Sequence, residues 1–110
     1  MSHVRLTADD LSALAARGWT ATEASLEQTF AFSTYGDGLA FAVALGFAAD
    51  KRDHHPDLTV RWCKVGVLWS THDAGGTTTL DRDMAQVTER LHAGLRGDTA
   101  SKSSDTTKST

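Results

Sequence analysis

The chain has one cysteine, one proline and no long apolar run, and each absence narrows what it can be. A lone Cys63 excludes an internal disulfide framework and leaves no thiol pair for zinc. Nothing approaches the stretch of about 18 apolar residues that a membrane-spanning helix needs. The polar N-terminus lacks the apolar core of a secretory signal, so the expected location is cytoplasmic. A basic excess is missing too. Eleven Lys and Arg stand against 14 Asp and Glu, for a net charge of −3, which disfavours nucleic acid as a partner because phosphate binding needs a basic surface. No internal repeat is present. The single proline, Pro56, directly follows His54 and His55, in the stretch Asp50-Lys-Arg-Asp-His-His-Pro-Asp57.

What is present fits one small domain. The 110 residues, 40% hydrophobic and 23% charged, have the composition of an ordinary globular protein whose core is modest enough to profit from a second subunit. Thr7-Ala-Asp-Asp10-Leu reads as a helix start, with Thr7 capping, Asp10 reaching back, and Leu6 and Leu11 at staple spacing. Gly18 suits the end of that helix in a left-handed conformation. Trp19 to Phe32 reads as a strand pair reversing at Glu23-Ala24-Ser25. From Asp37 to about Asp50 the run Gly38 to Ala49 is apolar throughout and alanine-rich, which predicts a helix buried on more than one side. Leu39, Val43, Gly46 and Phe47 form one stripe of it, which a neighbouring subunit could cover. Leu58 to Ser70 alternates as a hairpin with a reversal near Cys63-Lys64. Thr78 and Asp81 repeat the capping-box pattern. Leu80, Met84, Val87 and Leu91 then mark an amphipathic helix ending near Gly97. Residues 97–110 are Ser/Thr/Lys/Asp-rich and carry too little apolar surface to offset ordering, so they are expected to form a disordered polar tail. The expected domain is residues 1–96, in the order α-β-β-α-β-β-α.

Chemistry concentrates in the histidines. Two adjacent histidines in an extended segment point in different directions, so one can face a ligand while the other orients it. His72, in Ser70-Thr71-His72-Asp73 at a strand end, can join them if both element ends share one edge of the sheet. Imidazole suits proton movement in both directions near neutral pH. Asp50, Asp53, Asp57 and Asp73 surround the set and could fix tautomers. Three readings stand on residues alone. The first is a polar turn after a helix. The second is a three-histidine metal site, although adjacent histidines rarely both reach one ion and no carboxylate or cysteine has a recognised ligand spacing. The third is an acid/base pair for elimination, addition or tautomerisation. Asp81 reads first as a helix-start carboxylate at the positive end of the dipole. Trp62 and Trp69 read as sheet-face packing, with an exposed indole able to stack on a planar ring.

The spacing of these residues resembles the pterin-4a-carbinolamine dehydratases. Asp50, His54-His55-Pro56, Trp62, His72 and Asp81 reproduce every interval of the family's pattern, and the likeness covers roughly residues 5 to 95. Gly18-Trp19 and the phenylalanine-rich second strand look similar as well. The chain departs from the family at Leu58, where an aromatic is common, at Cys63, where Asn is common, and at Trp69, where Leu is common.

The resemblance implies an α+β fold: a four-stranded antiparallel sheet with three helices packed on one face. It implies dimers or tetramers, and dehydration of 4a-hydroxytetrahydropterin to quinonoid dihydropterin with no metal or organic cofactor. The product would return to the cofactor cycle of an aromatic amino-acid hydroxylase. By the same resemblance His54 and His72 are the acid/base histidines and His55 holds the substrate. Asp53, Ser70, Thr71 and Asp73 would line the pterin, with Asp50, Pro56, Trp62 and Asp81 in support. Some relatives on this fold instead serve as RuBisCO-assembly factors or as dimerisation cofactors of a homeodomain protein. That is the alternative from another class.

Overall fold

Thr7 begins the first element in the way its sequence predicts. In the computed structural model, which describes residues 4–96, helix α1 spans Ala8–Ala16. The Thr7 hydroxyl accepts the Asp10 N–H at 3.1 Å, and the Thr7 N–H donates to Asp10 Oδ2 at 2.9 Å, completing a capping box. These bonds from Thr7, backbone first, hold the Asp10 carboxyl below its usual range, and the nearby Arg82 guanidinium acts in the same direction. Gly18 follows the helix at φ 99°, a conformation that costs glycine little.

Strand β1 (Thr20–Ala21) and strand β2 (Leu26–Ala31) form the first hairpin, closed by a Thr22 N–H bond to the Ser25 carbonyl. Helix α2 covers Tyr35–Arg52, two residues earlier than the expected start at Asp37. Its cap is Thr34, whose hydroxyl accepts the Asp37 N–H at 3.0 Å. Strands β3 (Asp57–Arg61) and β4 (Lys64–Trp69) form the second hairpin. Its reversal is Trp62-Cys63, one residue before the expected place. Cys63 takes a left-handed φ of 56°, and Lys64 already pairs with Arg61. A short 3₁₀ turn at His72–Ala74 leads to helix α3, Thr79–Arg96.

The sheet order is β1-β2-β4-β3, antiparallel throughout. Register places Leu26 opposite Trp69, Gln28 opposite Val67 and Phe30 opposite Val65, so these side chains share one face. Leu14 of α1, Phe41, Leu45 and Ala49 of α2, and Leu80, Met84 and Ala85 of α3 pack against that face as one core. The expected α+β architecture, with all three helices on one side, is the one observed. The opposite face carries Glu27, Thr29, Thr59 and Arg61 and is open. Of the apolar α2 residues, Leu39, Val43 and Phe47 point outward, with Phe47 66% exposed. No helix among the described residues is long and apolar enough to cross a membrane. The tail expected to be disordered, residues 97–110, lies outside the described residues.

One clamp positions the segment between β4 and α3. Arg5 donates to the carbonyls of Thr77 at 3.1 Å, Glu23 at 3.2 Å and Ala74 at 3.5 Å. The Thr77 N–H also bonds the Glu23 carbonyl at 2.9 Å, and the Thr79 N–H bonds the Val4 carbonyl at 2.9 Å. Gly76 sits within the clamp, where a Cβ would run into the Glu23 carbonyl and the Arg5 guanidinium. Gly76→Ala should therefore displace the loop and cost about 1–3 kcal/mol of stability in urea unfolding. A neutral result would mean the clamp yields freely.

Candidate functional site

The end of α2 sets the direction of the two histidines. Pro56 lies just beyond this stop, but the helix already ends at Arg52 by a backbone device. Asp53 is left-handed (φ 49°, ψ 43°), its N–H bonds the Asp50 carbonyl at 3.2 Å, and the His54 N–H bonds the Ala49 carbonyl at 3.2 Å. This is the Schellman arrangement, with aspartate where glycine is usual. Pro56 then precedes β3 and keeps the chain from returning to helix.

From that corner the two imidazoles diverge. The His54 side chain is 12% exposed, and its Nε2 lies 2.6 Å from Asp81 Oδ1. Its ring stacks on Trp69, with centroids 5.5 Å apart and an interplanar angle of 22°. His55 stays at the surface, with Nε2 2.9 Å from Oδ1 of Asp50, one turn back on α2. His72 is exposed on the 3₁₀ turn.

Asp81 is fully buried. Its Oδ2 accepts the Thr78 N–H at 2.9 Å and the Thr71 hydroxyl at 2.7 Å. Since Thr71 spends its hydrogen on Asp81, it accepts from the Thr78 hydroxyl at 2.9 Å. A carboxylate only accepts, so His54 Nε2 carries the hydrogen of the third bond. In the neutral ring, Nδ1 is then the nitrogen left to take a proton. Asp81 is thus both the helix-start carboxylate expected from its position and the group that fixes the His54 tautomer.

A cleft of about 300 Å³ is lined by Asp53, His54, His55, Ser70, Thr71, His72 and Asp73. It brings the three histidines of the sequence reading together with all four residues expected to line the substrate. The Thr71 hydroxyl is committed to the buried network, so Thr71 offers the cleft its backbone and methyl surface more than a free donor. Asp50 and Pro56 lie beside His55 in an adjoining apolar groove with Val43, Phe47 and Leu58. Trp62 does not join the cleft. It lies past the far end of β3, 79% exposed on the hairpin tip, and does not pack on the sheet face as expected. Among the described residues no three His, Cys, Asp or Glu side chains are grouped to hold a metal ion. Sequence reasoning missed the part of Trp69, read only as packing, and of Thr88, whose hydroxyl accepts the Trp69 indole N–H at 3.1 Å. Four-residue spacing from Met84 was the available signal for Thr88, since a helical threonine often bonds back to that carbonyl.

The sequence profile described as "Pterin 4 alpha carbinolamine dehydratase" matches residues 4–91. Proteins of Natronomonas pharaonis and Thermosynechococcus vestitus, both called "Putative pterin-4-alpha-carbinolamine dehydratase", are 39% and 40% identical to the chain. The first alignment covers 79% of this chain and 95% of the relative, the second 79% and 94%. Among solved structures, a transcriptional coactivator/pterin dehydratase from Brucella melitensis superposes with a TM-score of 0.72 at 26% identity, over 80% of this chain and 98% of that one. A pterin dehydratase-like protein identified as a RuBisCO assembly factor in the alpha-carboxysome shares the fold, with a TM-score of 0.56 at 21% identity, over 67% of this chain and 86% of that one.

Asp81→Ala should remove the acceptor of three groups at once. The expected cost is about 3 kcal/mol in urea unfolding, because buried donors left unpaired keep their full desolvation penalty. An unchanged midpoint would show that water replaces the carboxylate.

Proposed function

Because the chain belongs to the pterin 4 alpha carbinolamine dehydratase family, we propose that it converts a 4a-hydroxytetrahydropterin to quinonoid dihydropterin and water in the cleft around His54 and His72. The observation that carries this reading is the meeting of His54, tautomer fixed by Asp81, with His72 and His55 on one cleft of about 300 Å³.

The reaction is a redox-neutral elimination. The C4a–O bond breaks as its oxygen takes a proton from one imidazolium. The N5–H proton passes to a neutral imidazole, and its bonding electrons become the C4a=N5 double bond. One proton is delivered and one removed, so the histidine pair ends with the same proton count. No electron acceptor or metal is required by this balance. His54 and His72 are the acid/base residues in this scheme. His55, steadied by Asp50, holds the substrate, and Asp53, Ser70 and Asp73 contact the polar edges of the ring. His54 suits the base role through the Nδ1 that its bond to Asp81 leaves open. The product would be reduced and returned to an aromatic amino-acid hydroxylase in the cytoplasm. The assembly-factor reading has less support, because a scaffold would have no use for three histidines on one cleft.

The unit proposed to act is residues 1–96, assembled as a dimer or tetramer. Leu39, Val43 and Phe47 supply a continuous outward stripe on α2, and burying it against a second copy removes large apolar side chains from water.

Two outcomes test this. With synthetic 4a-hydroxytetrahydropterin, His54→Ala and His72→Ala should each lower kcat by about 10²–10⁴-fold. The His72 variant should melt like wild type, because its ring is exposed. Wild type without dehydratase activity would end the enzymatic reading. Phe47→Asp should shift the mass measured by light scattering towards the monomer, and an unchanged mass would remove α2 from the interface.

A further inference from the structure

The bond to Asp81 fixes one nitrogen of His54 but leaves the ring free to rock about the Nε2–Oδ1 line. A second constraint is needed to aim Nδ1, and Trp69 is built to supply it. The indole is fully buried at the end of β4. Its N–H donates to Thr88 Oγ1 at 3.1 Å, and the Thr88 hydroxyl donates to the Met84 carbonyl at 2.7 Å. An indole N–H can only donate, so Thr88 must accept it and send its own hydrogen to Met84. Both partners are on α3, the helix whose first turn carries Asp81. The indole plane is therefore locked to the element that holds the carboxylate. Against that plane the imidazole lies nearly parallel, 5.5 Å centroid to centroid at 22°, in the offset arrangement that aromatic rings prefer.

We propose that Trp69 is a positioning residue for His54: the Thr88-anchored indole sets the plane of the imidazole while Asp81 sets its rotation, so that Nδ1 is held in one direction. The proposal rests on the dehydratase reading for its effect on turnover, but not for its effect on the ring. Trp69 does not itself line the cleft, and its indole meets the lining by stacking on His54. It occupies a position where the resemblance leads one to expect leucine, which could fill the volume but offers no flat face. Leucine there would keep the core and lose the plane.

The full-length chain as Trp69→Leu, Trp69→Phe and Thr88→Val tests this by two measurements. The first is steady-state dehydration of synthetic 4a-hydroxytetrahydropterin, below each variant's melting temperature. The second is ¹⁵N NMR of histidine-labelled protein, which reads the His54 tautomer and its ring-current shift. Trp69→Leu should lower kcat by about 10–100-fold, the scale of a misplaced catalytic group, with KM within about twofold. The His54 signal should keep the Nε2–H form that Asp81 fixes, lose its ring-current displacement with the indole, and broaden as the ring plane is released. Trp69→Phe should restore most of both, because it returns a flat face. Thr88→Val should fall between them. A purely structural Trp69 would lower the melting temperature and leave kcat and the His54 line width alone, and that result overturns the proposal. If Trp69→Leu does not fold, an unmoved kcat and His54 signal in Thr88→Val, which keeps the indole but removes its anchor, overturns it equally. If wild type proves inactive, the dehydratase reading fails, while the NMR comparison still decides whether the indole holds the ring.

Discussion

A carboxylate with no access to water must be met on all sides by donors, and Asp81 imposes that demand on three separate elements. The start of α3 supplies the Thr78 N–H, the segment after β4 supplies the Thr71 hydroxyl, and the corner after α2 supplies His54. Thr78 reaches the carboxylate locally, but His54 lies 27 residues away in sequence and reaches it only if the sheet and helices are assembled in this topology. Fold and site therefore share one constraint. The Arg5 clamp belongs to the same constraint, since it holds the backbone of Ala74 and Thr77 next to Thr78.

The adjacent histidines show how local chain direction separates two tasks. His54 turns inward to a buried anion and an indole, where its orientation is set by two partners. His55 turns outward to an exposed aspartate, in a setting where an ion pair contributes little to stability. One ring is held firmly and the other is free to adjust, a division consistent with proton transfer at the first and substrate contact at the second. His72 reaches the same cleft from a short 3₁₀ turn after β4, so the lining is drawn from two segments, 53–55 and 70–73.

Much of this was legible in the residues. Capping boxes at Thr7 and Thr78 announced two helix starts because the signal is local, and period-two alternation announced the hairpins because burial of one face imposes it. The grouping of Asp50, His54, His55, His72 and Asp81 rests on the family resemblance, since the residues alone leave a polar turn, a metal site and an acid/base pair open. The expected α2 start falls late because the apolar run that signals the helix begins only at Gly38, whereas the Thr34 hydroxyl closes the first turn ahead of it. Trp62 was read as packed because alternation continues to it in sequence, whereas the strand turns there. The partnership of Trp69, Thr88 and His54 was illegible for a different reason. It joins β4, α3 and the α2 corner through side-chain geometry that no short-range pattern encodes.

The left-handed turn at Asp53 has a bearing on how this corner can change over time. The aim of both imidazoles is written into a single pair of backbone angles, so the residue that decides it need not touch either ring. Aspartate, asparagine and glycine enter that region at small cost, while β-branched side chains are strongly disfavoured there. Drift at position 53 is thereby channelled into three residue types that preserve the corner. Exchange among them can retune charge at the rim of the cleft without re-aiming what lies inside it.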